Sequence, residues 1–164
     1  MSASLSRVTR RALLAFALVP IAGCSLFGGR SLDTPSGTYA GNTPQMQAMI
    51  RRHARSLRLP PELLDHVVRV ESGYNARARN GSYYGLMQVS PDTARSMGYR
   101  GPESGLLDAE TNLRFAGAYL RGAYIVANGN QRRAYDLYKK GYYYEARDRG
   151  LLEETGLRRG FLEG

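Results

Sequence analysis

The chain has 164 residues, with 23 basic against 14 acidic side chains, a formal net charge of +9, one cysteine, two histidines and no tryptophan. That length admits one compact domain and whatever the N-terminus carries. A single cysteine rules out an internal disulfide, and two histidines thirteen residues apart without cysteine partners do not make a metal site.

The first 23 residues read as a targeting segment rather than fold. Arg7, Arg10 and Arg11 form a basic start, and Ala12 to Val19 is an apolar stretch too short to span a bilayer. The segment closes on Ile21-Ala22-Gly23-Cys24, which resembles the lipobox of bacterial lipoproteins. That resemblance implies lipidation of Cys24 and a mature chain beginning there. Ser25 follows the cysteine where enterobacterial lipoproteins kept in the inner membrane commonly have Asp. The expected location is therefore the outer membrane, facing the periplasm. Without the three leader arginines 20 basic residues face 14 acids, about +6. Such a surface suits an anionic polymer or a membrane. Arg and Tyr together can also grip nucleic acid, but export to the envelope argues against that partner.

Residues 24–42 are rich in Gly, Ser and Thr and read as a flexible tether, with a reach of at most about 60 Å. The folded domain is expected over 43–150, mainly helical. Thr43-Pro44 is a cap followed by Pro, and Met46, Met49, Ile50, His53 and Leu57 recur at helical spacing. His53 on that stripe reads as a packed or boundary histidine. Pro60-Pro61 with Glu62 and Asp65 starts a second helix whose apolar positions are Leu63, Leu64, Val67, Val68 and, less regularly, Val70. Glu71 falls near its C-terminal end. A carboxylate there opposes the helix dipole, and burial would raise its pKa as a general acid requires. The plain alternative is a surface acid at a frayed helix end.

A polar, Gly-rich loop follows, with at most a short hairpin at Asn80–Tyr84. Ser90 caps a short helix that begins at Pro91 and stops at Gly98. Asp108 caps the longest helix, whose stripe is Leu113, Ala116, Tyr119, Leu120, Ala123, Val126 and Ala127 and which ends at Asn128-Gly129. Gly117 inside it implies close packing. Asn130 starts a further helix to about Lys139, with Ala134, Leu137 and Tyr138 inward. Tyr142 to Tyr144 and the tail 151–164 show no clear pattern. No alternating strand runs, internal repeats, phosphate-cradling Gly-rich loop or Gly-x-Ser-x-Gly elbow is present.

The run Glu71 to Met97 holds Glu71-Ser72, then Gly85-Leu86-Met87-Gln88, then Pro91-x-Thr93-Ala94, and the long helix holds Asn112 and Gly117-x-Tyr119-Leu120. In that order these parts resemble the soluble lytic transglycosylase (SLT) domain, a family similar to goose-type lysozyme that cuts the glycan of bacterial peptidoglycan. The resemblance implies a lysozyme-like helical fold, Glu71 as the single catalytic acid/base, and no metal or cofactor. It implies that Gln88 and Met87 line the sugar groove and that Ser72 supports the glutamate or the sugar. One or two tyrosines among Tyr83, Tyr84 and Tyr142 to Tyr144 are expected there too, Tyr84 foremost, because their rings can stack on sugar faces.

The last motif departs from the family's Ala-Tyr-Asn-x-Gly. Aligning Tyr138 with Gly141 puts Lys139 at the Asn position; aligning Ala134-Tyr135 keeps Asp136 there but loses the Gly. The first register is preferred, with Tyr138 touching the glutamate or the sugar's acetamido group. The resemblance implies a 1,6-anhydro product. A hydrolytic muramidase and a non-catalytic peptidoglycan-binding lipoprotein stay open beside it, the latter favoured by Lys139.

Overall fold

The computed structural model describes residues 40–157. The leader, Cys24 and most of the tether lie outside the described residues, as does the tail beyond 157.

Helix α1 (Pro44–Leu57) starts where Thr43 accepts a hydrogen bond from the Met46 N–H and Pro44 takes the first position. Ile50 and Ala54 are its buried residues, and Met46, Met49 and Leu57 pack at the edge of the core. His53 is a boundary residue, its Nε2 2.6 Å from Glu110. Helix α2 (Pro61–Ser72) buries Leu63, Leu64, Val67 and Val68 completely. Val70 breaks that stripe, being 47 % exposed. Gly73 ends α2 in the left-handed region, with φ 58°.

After α2 the chain forms a two-stranded antiparallel hairpin, β1 (Arg79–Asn80) and β2 (Tyr83–Tyr84), pairing Arg79 with Tyr84 and Asn80 with Tyr83. Pleating turns Tyr83 outward and Tyr84 inward. Helix α3 (Pro91–Ser96) is capped by Ser90, which accepts from the Thr93 N–H. A short 3-10 turn (Glu103–Leu107), which has no periodic signal in the sequence, leads to Asp108. Asp108 caps α4 (Ala109–Val126) by accepting from the Thr111 N–H.

Helix α4 is central: α1, α3, α5 and the 3-10 turn all pack on it. Close approach is possible because α4 carries glycines on its packed side. A Cβ on Gly117 would stand 2.6 Å from Leu57 Cδ1, and one on Gly122 would stand 2.1 Å from the Tyr142 hydroxyl. Asn130 caps α5 (Gln131–Lys140) by accepting from the Arg133 N–H. Helix α6 (Tyr143–Asp148) and the segment after it form a second, smaller apolar cluster against the end of α4. Its members are Ala123, Val126, Tyr142, Ala146 and Leu157. Residues 151–157 thus pack on the domain, with Thr155 and Leu157 buried. The fold is mainly α-helical with one short hairpin, as expected from the sequence. No helix among the described residues is long and apolar enough to cross a membrane.

Candidate active site

Glu71 sits one residue before the end of α2, half-buried, at the rim of a cleft of about 510 Å³. The hairpin contributes Asn80 and Tyr83 to that cleft, and the segment entering α3 contributes Gln88, Val89, Ser90 and Thr93. Tyr119 of α4 and Tyr138, Lys139, Lys140 and Gly141 at the end of α5 complete it. Glu71 is the only carboxylic acid among these lining residues. Burial raises its pKa, and two weaker effects oppose that rise: a hydrogen bond from Tyr135 and the charge of Lys139. Desolvation prevails, so the carboxyl holds its proton to higher pH than an exposed glutamate does.

The hydroxyl that reaches Glu71 belongs to Tyr135, which donates to Oε1 at 2.9 Å. Tyr138 donates instead to the Met87 carbonyl at 2.7 Å. The preference for Tyr138 as the glutamate's partner is therefore corrected at this contact. Residues three apart share a helix face, and the tyrosine one turn nearer the start of α5 is the one beside Glu71. Tyr135 is itself held on two sides. His66 meets its ring edge-on at 5.2 Å between centroids, and Lys139 Nζ lies 4.4 Å from the ring centroid. Lys139 also pairs with Asp136 at 3.4 Å. Burial and the donated hydrogen bond to Glu71 both push the Tyr135 hydroxyl well above its ordinary pKa. It therefore stays protonated and acts only as a donor toward the carboxylate.

Facing this side-chain cluster is a loop fixed through its backbone. Gly85 adopts φ +74°, and a Cβ there would stand 2.3 Å from both Asn112 Nδ2 and the Leu106 carbonyl. Only glycine fits both the backbone angle and the space. The Asn112 side chain is fully buried and fully used. Its Nδ2 donates to the Tyr84 and Leu106 carbonyls at 2.8 Å each, and its Oδ1 accepts from the Met87 N–H at 2.9 Å. Tyr84 and Val89 exchange backbone hydrogen bonds at 3.1 Å, which closes the turn between them. Within that turn Gln88 takes a left-handed conformation, φ 47°, uncommon for a residue with a side chain. Its Nε2 donates to the Ala78 and Gly85 carbonyls at 3.2 and 3.0 Å, which fixes the amide at the cleft wall.

Of the site residues expected from the sequence, Glu71, Gln88 and Tyr138 line one cleft. Ser72, Met87 and Tyr84 are placed behind it. The Ser72 hydroxyl donates to the Val68 and Leu86 carbonyls at 3.1 and 2.7 Å, tying the end of α2 to the Gly85–Gln88 turn. The Met87 side chain has no exposure, and what it offers the site is its carbonyl, the acceptor for Tyr138. Tyr84 is buried, donates to Glu103 at 2.8 Å and lies under Arg79. Its neighbour Tyr83 takes the cleft position. From the sequence, Tyr119 is named only for its place in the Gly-x-Tyr-Leu motif and the packed stripe of the long helix, and Asn80 and Lys140 are not named as site residues; the structure places all three in the cleft lining. Among the described residues no group of three or more His, Cys, Asp or Glu side chains comes together that could hold a metal ion.

The order of these parts, a glutamate at a helix end, a Gly-Leu-Met-Gln turn and a clamping Asn, coincides with the match to a known family. The family model described as the Transglycosylase SLT domain covers residues 48–150, more than half of the chain. The chain belongs to the SLT transglycosylase family. It is thereby classed as a lytic transglycosylase, an enzyme of a family that acts on peptidoglycan. The matched span runs from within α1 to the end of α6 and contains the whole cleft. No solved structure matches the chain.

Proposed function

We propose that this protein cleaves the β-1,4 bond between N-acetylmuramic acid and N-acetylglucosamine in peptidoglycan, forming 1,6-anhydromuramic ends. One observation carries the proposal: a single carboxyl group lines the cleft, and burial raises its pKa above that of an exposed glutamate. A two-carboxylate glycosidase needs a second acid facing the first, and Asp92, Glu103 and Asp108, the next acids along the chain, all lie outside the lining. The scheme that needs only one lets the sugar's own 2-acetamido group stabilise the anomeric centre.

In that scheme Tyr135 holds Oε1 of Glu71 and leaves Oε2 to face the glycosidic oxygen. Glu71 donates its proton to that oxygen, the C1–O bond breaks, and the acetamido oxygen closes on C1. The Glu71 carboxylate then takes the proton of the C6 hydroxyl. The C6 oxygen displaces the acetamido group at C1, which closes the anhydro ring and regenerates the acid. One group gives and retakes the proton, so no metal or cofactor enters the scheme. If water replaces the C6 hydroxyl, the product is hydrolytic and the enzyme a muramidase. Digestion of purified sacculi followed by mass analysis of the muropeptides separates these readings. Anhydro ends support the proposal, reducing ends support the muramidase, and no release makes the protein a binder.

The same proposal includes an envelope location. The lipobox-like Ile21–Cys24 segment supports a lipid on Cys24, with the enzyme tethered to the outer membrane and facing the periplasm. Cys24→Ala is expected to abolish lipid labelling and leave unprocessed or mislocalised protein. A wild-type mature chain that starts elsewhere and carries no lipid contradicts this part.

A further inference from the structure

Three charged side chains line the cleft: Glu71, Lys139 and Lys140. Apart from the Glu71 carboxyl, the charge in the cleft is that of two ammonium groups on the last turn of α5. The other polar lining residues named above, Asn80, Tyr83, Gln88, Ser90 and Thr93, are neutral. A neutral glycan gives two lysines nothing of opposite charge to meet. The stem peptides attached to the glycan do, through their free carboxylates.

The two lysines are not equivalent. Lys139 is already engaged, paired with Asp136 at 3.4 Å and set over the Tyr135 ring. Lys140 is exposed and makes no ion pair among the described residues. Gly141 ends α5 directly after it, with φ +85° and its N–H bonded to the Leu137 carbonyl. No side chain at position 141 therefore screens the Lys140 ammonium from the cleft.

Building on the activity proposed above, we infer that Lys140, backed by Lys139, binds a stem-peptide carboxylate and makes the enzyme prefer peptide-bearing, acidic peptidoglycan over neutral glycan. Lys140 is then a specificity residue, separate from the Glu71–Tyr135 pair that handles the proton. An exposed ion pair of this kind contributes a modest factor that weakens as salt rises.

The test uses the full-length protein and two forms of one substrate: native sacculi, and sacculi whose free carboxyl groups have been converted to amides. Amidation removes charge while leaving glycan and peptide length intact. At low ionic strength the wild type is expected to release muropeptides from native material about three- to fivefold faster than from amidated material. That ratio should fall toward one in Lys140→Gln, recover in Lys140→Arg, and shrink for the wild type in high salt. Equal wild-type rates on both materials, or an unchanged ratio in Lys140→Gln, would overturn the inference while leaving the proposed activity standing. No release from either material by the wild type would remove the activity and the inference together.

Discussion

The two sides of the cleft are built differently. On the Gly85–Ser90 side, side chains named by the family pattern are spent on backbone groups: Ser72 on Leu86, Asn112 on Tyr84, Leu106 and Met87, and Gln88 on Ala78 and Gly85. On the α5 side, the contacts run between side chains: Tyr135 to Glu71, Lys139 to Tyr135 and Asp136, and His66 against Tyr135. The first side fixes a shape and has few groups left to react. The second adjusts the pKa of the acid, Tyr135 and Lys139 both lowering it against burial, and presents charge to the substrate. Substitutions on the two sides should therefore separate, one set acting on stability and the other on the pH dependence of activity.

Asn112→Ala is the harshest probe of that separation. It leaves the buried Leu106 carbonyl and Met87 N–H without partners and takes one of two donors from the Tyr84 carbonyl, at an expected cost of about 3–5 kcal/mol. Urea unfolding followed by circular dichroism measures it. A cost under about 1 kcal/mol would mean that the loop does not depend on the clamp.

The two tyrosines of α5 sharpen the comparison, because one reaches across each side. Tyr135→Phe removes the hydroxyl on Glu71, and a positioning loss of about ten- to a hundredfold in activity is expected, with little change in stability. That hydroxyl favours the carboxylate, so its removal raises the Glu71 pKa further. The alkaline limb of the pH–rate profile, where Glu71 loses its proton, should move to higher pH. Tyr138→Phe instead leaves the Met87 carbonyl without its donor. It should cost about 1–2 kcal/mol in stability and leave the pH profile in place. The reverse outcome for the pair would return Tyr138 to the glutamate.

Lys139→Gln should have the smallest effect of these. The Lys139 charge lowers the Glu71 pKa less than the Tyr135 hydrogen bond does. Its loss should move the alkaline limb up in pH, by less than Tyr135→Phe does and without a stability change beyond about 0.5 kcal/mol. A shift toward lower pH would contradict the charge argument.

Much of the frame is legible in the sequence, because caps and periodicity are local. Thr43, Ser90, Asp108 and Asn130 each precede a helical stripe, and each accepts the capping hydrogen bond expected of it. The position of Glu71 at the end of α2 follows from the same periodicity. What was not legible depends on direction rather than on element. Tyr135 and Tyr138 lie three residues apart on one face of α5, so helical spacing cannot say which one meets α2. Ser72, Met87 and Tyr84 sit beside cleft residues in sequence, yet the Ser72 hydroxyl is spent on the Val68 and Leu86 carbonyls, the Met87 side chain is buried in the core, and the pleat of a two-residue strand turns Tyr84 inward. The 3-10 turn and α6 are too short to show a period. Their places are set by packing on α4, a long-range property.

The central claim is that Glu71 alone gives and retakes the proton. It is tested most directly by Glu71→Gln on purified sacculi, with muropeptide release, sacculus binding and thermal unfolding followed together. Glutamine keeps the shape and can still accept from Tyr135 but cannot transfer a proton, so release should fall by about a hundredfold or more. Binding should persist. Because burial raises the folded-state pKa of Glu71, its favourable contribution is complete only below the unfolded-state pKa and is lost as pH rises through the folded-state value. The variant should therefore unfold at a slightly higher temperature than wild type at neutral pH, by about 1–3 °C, with the gap closing in acid. Lost release with retained binding and a stable fold is the predicted result. Release within tenfold of wild type would contradict the account and remove Glu71 from the mechanism.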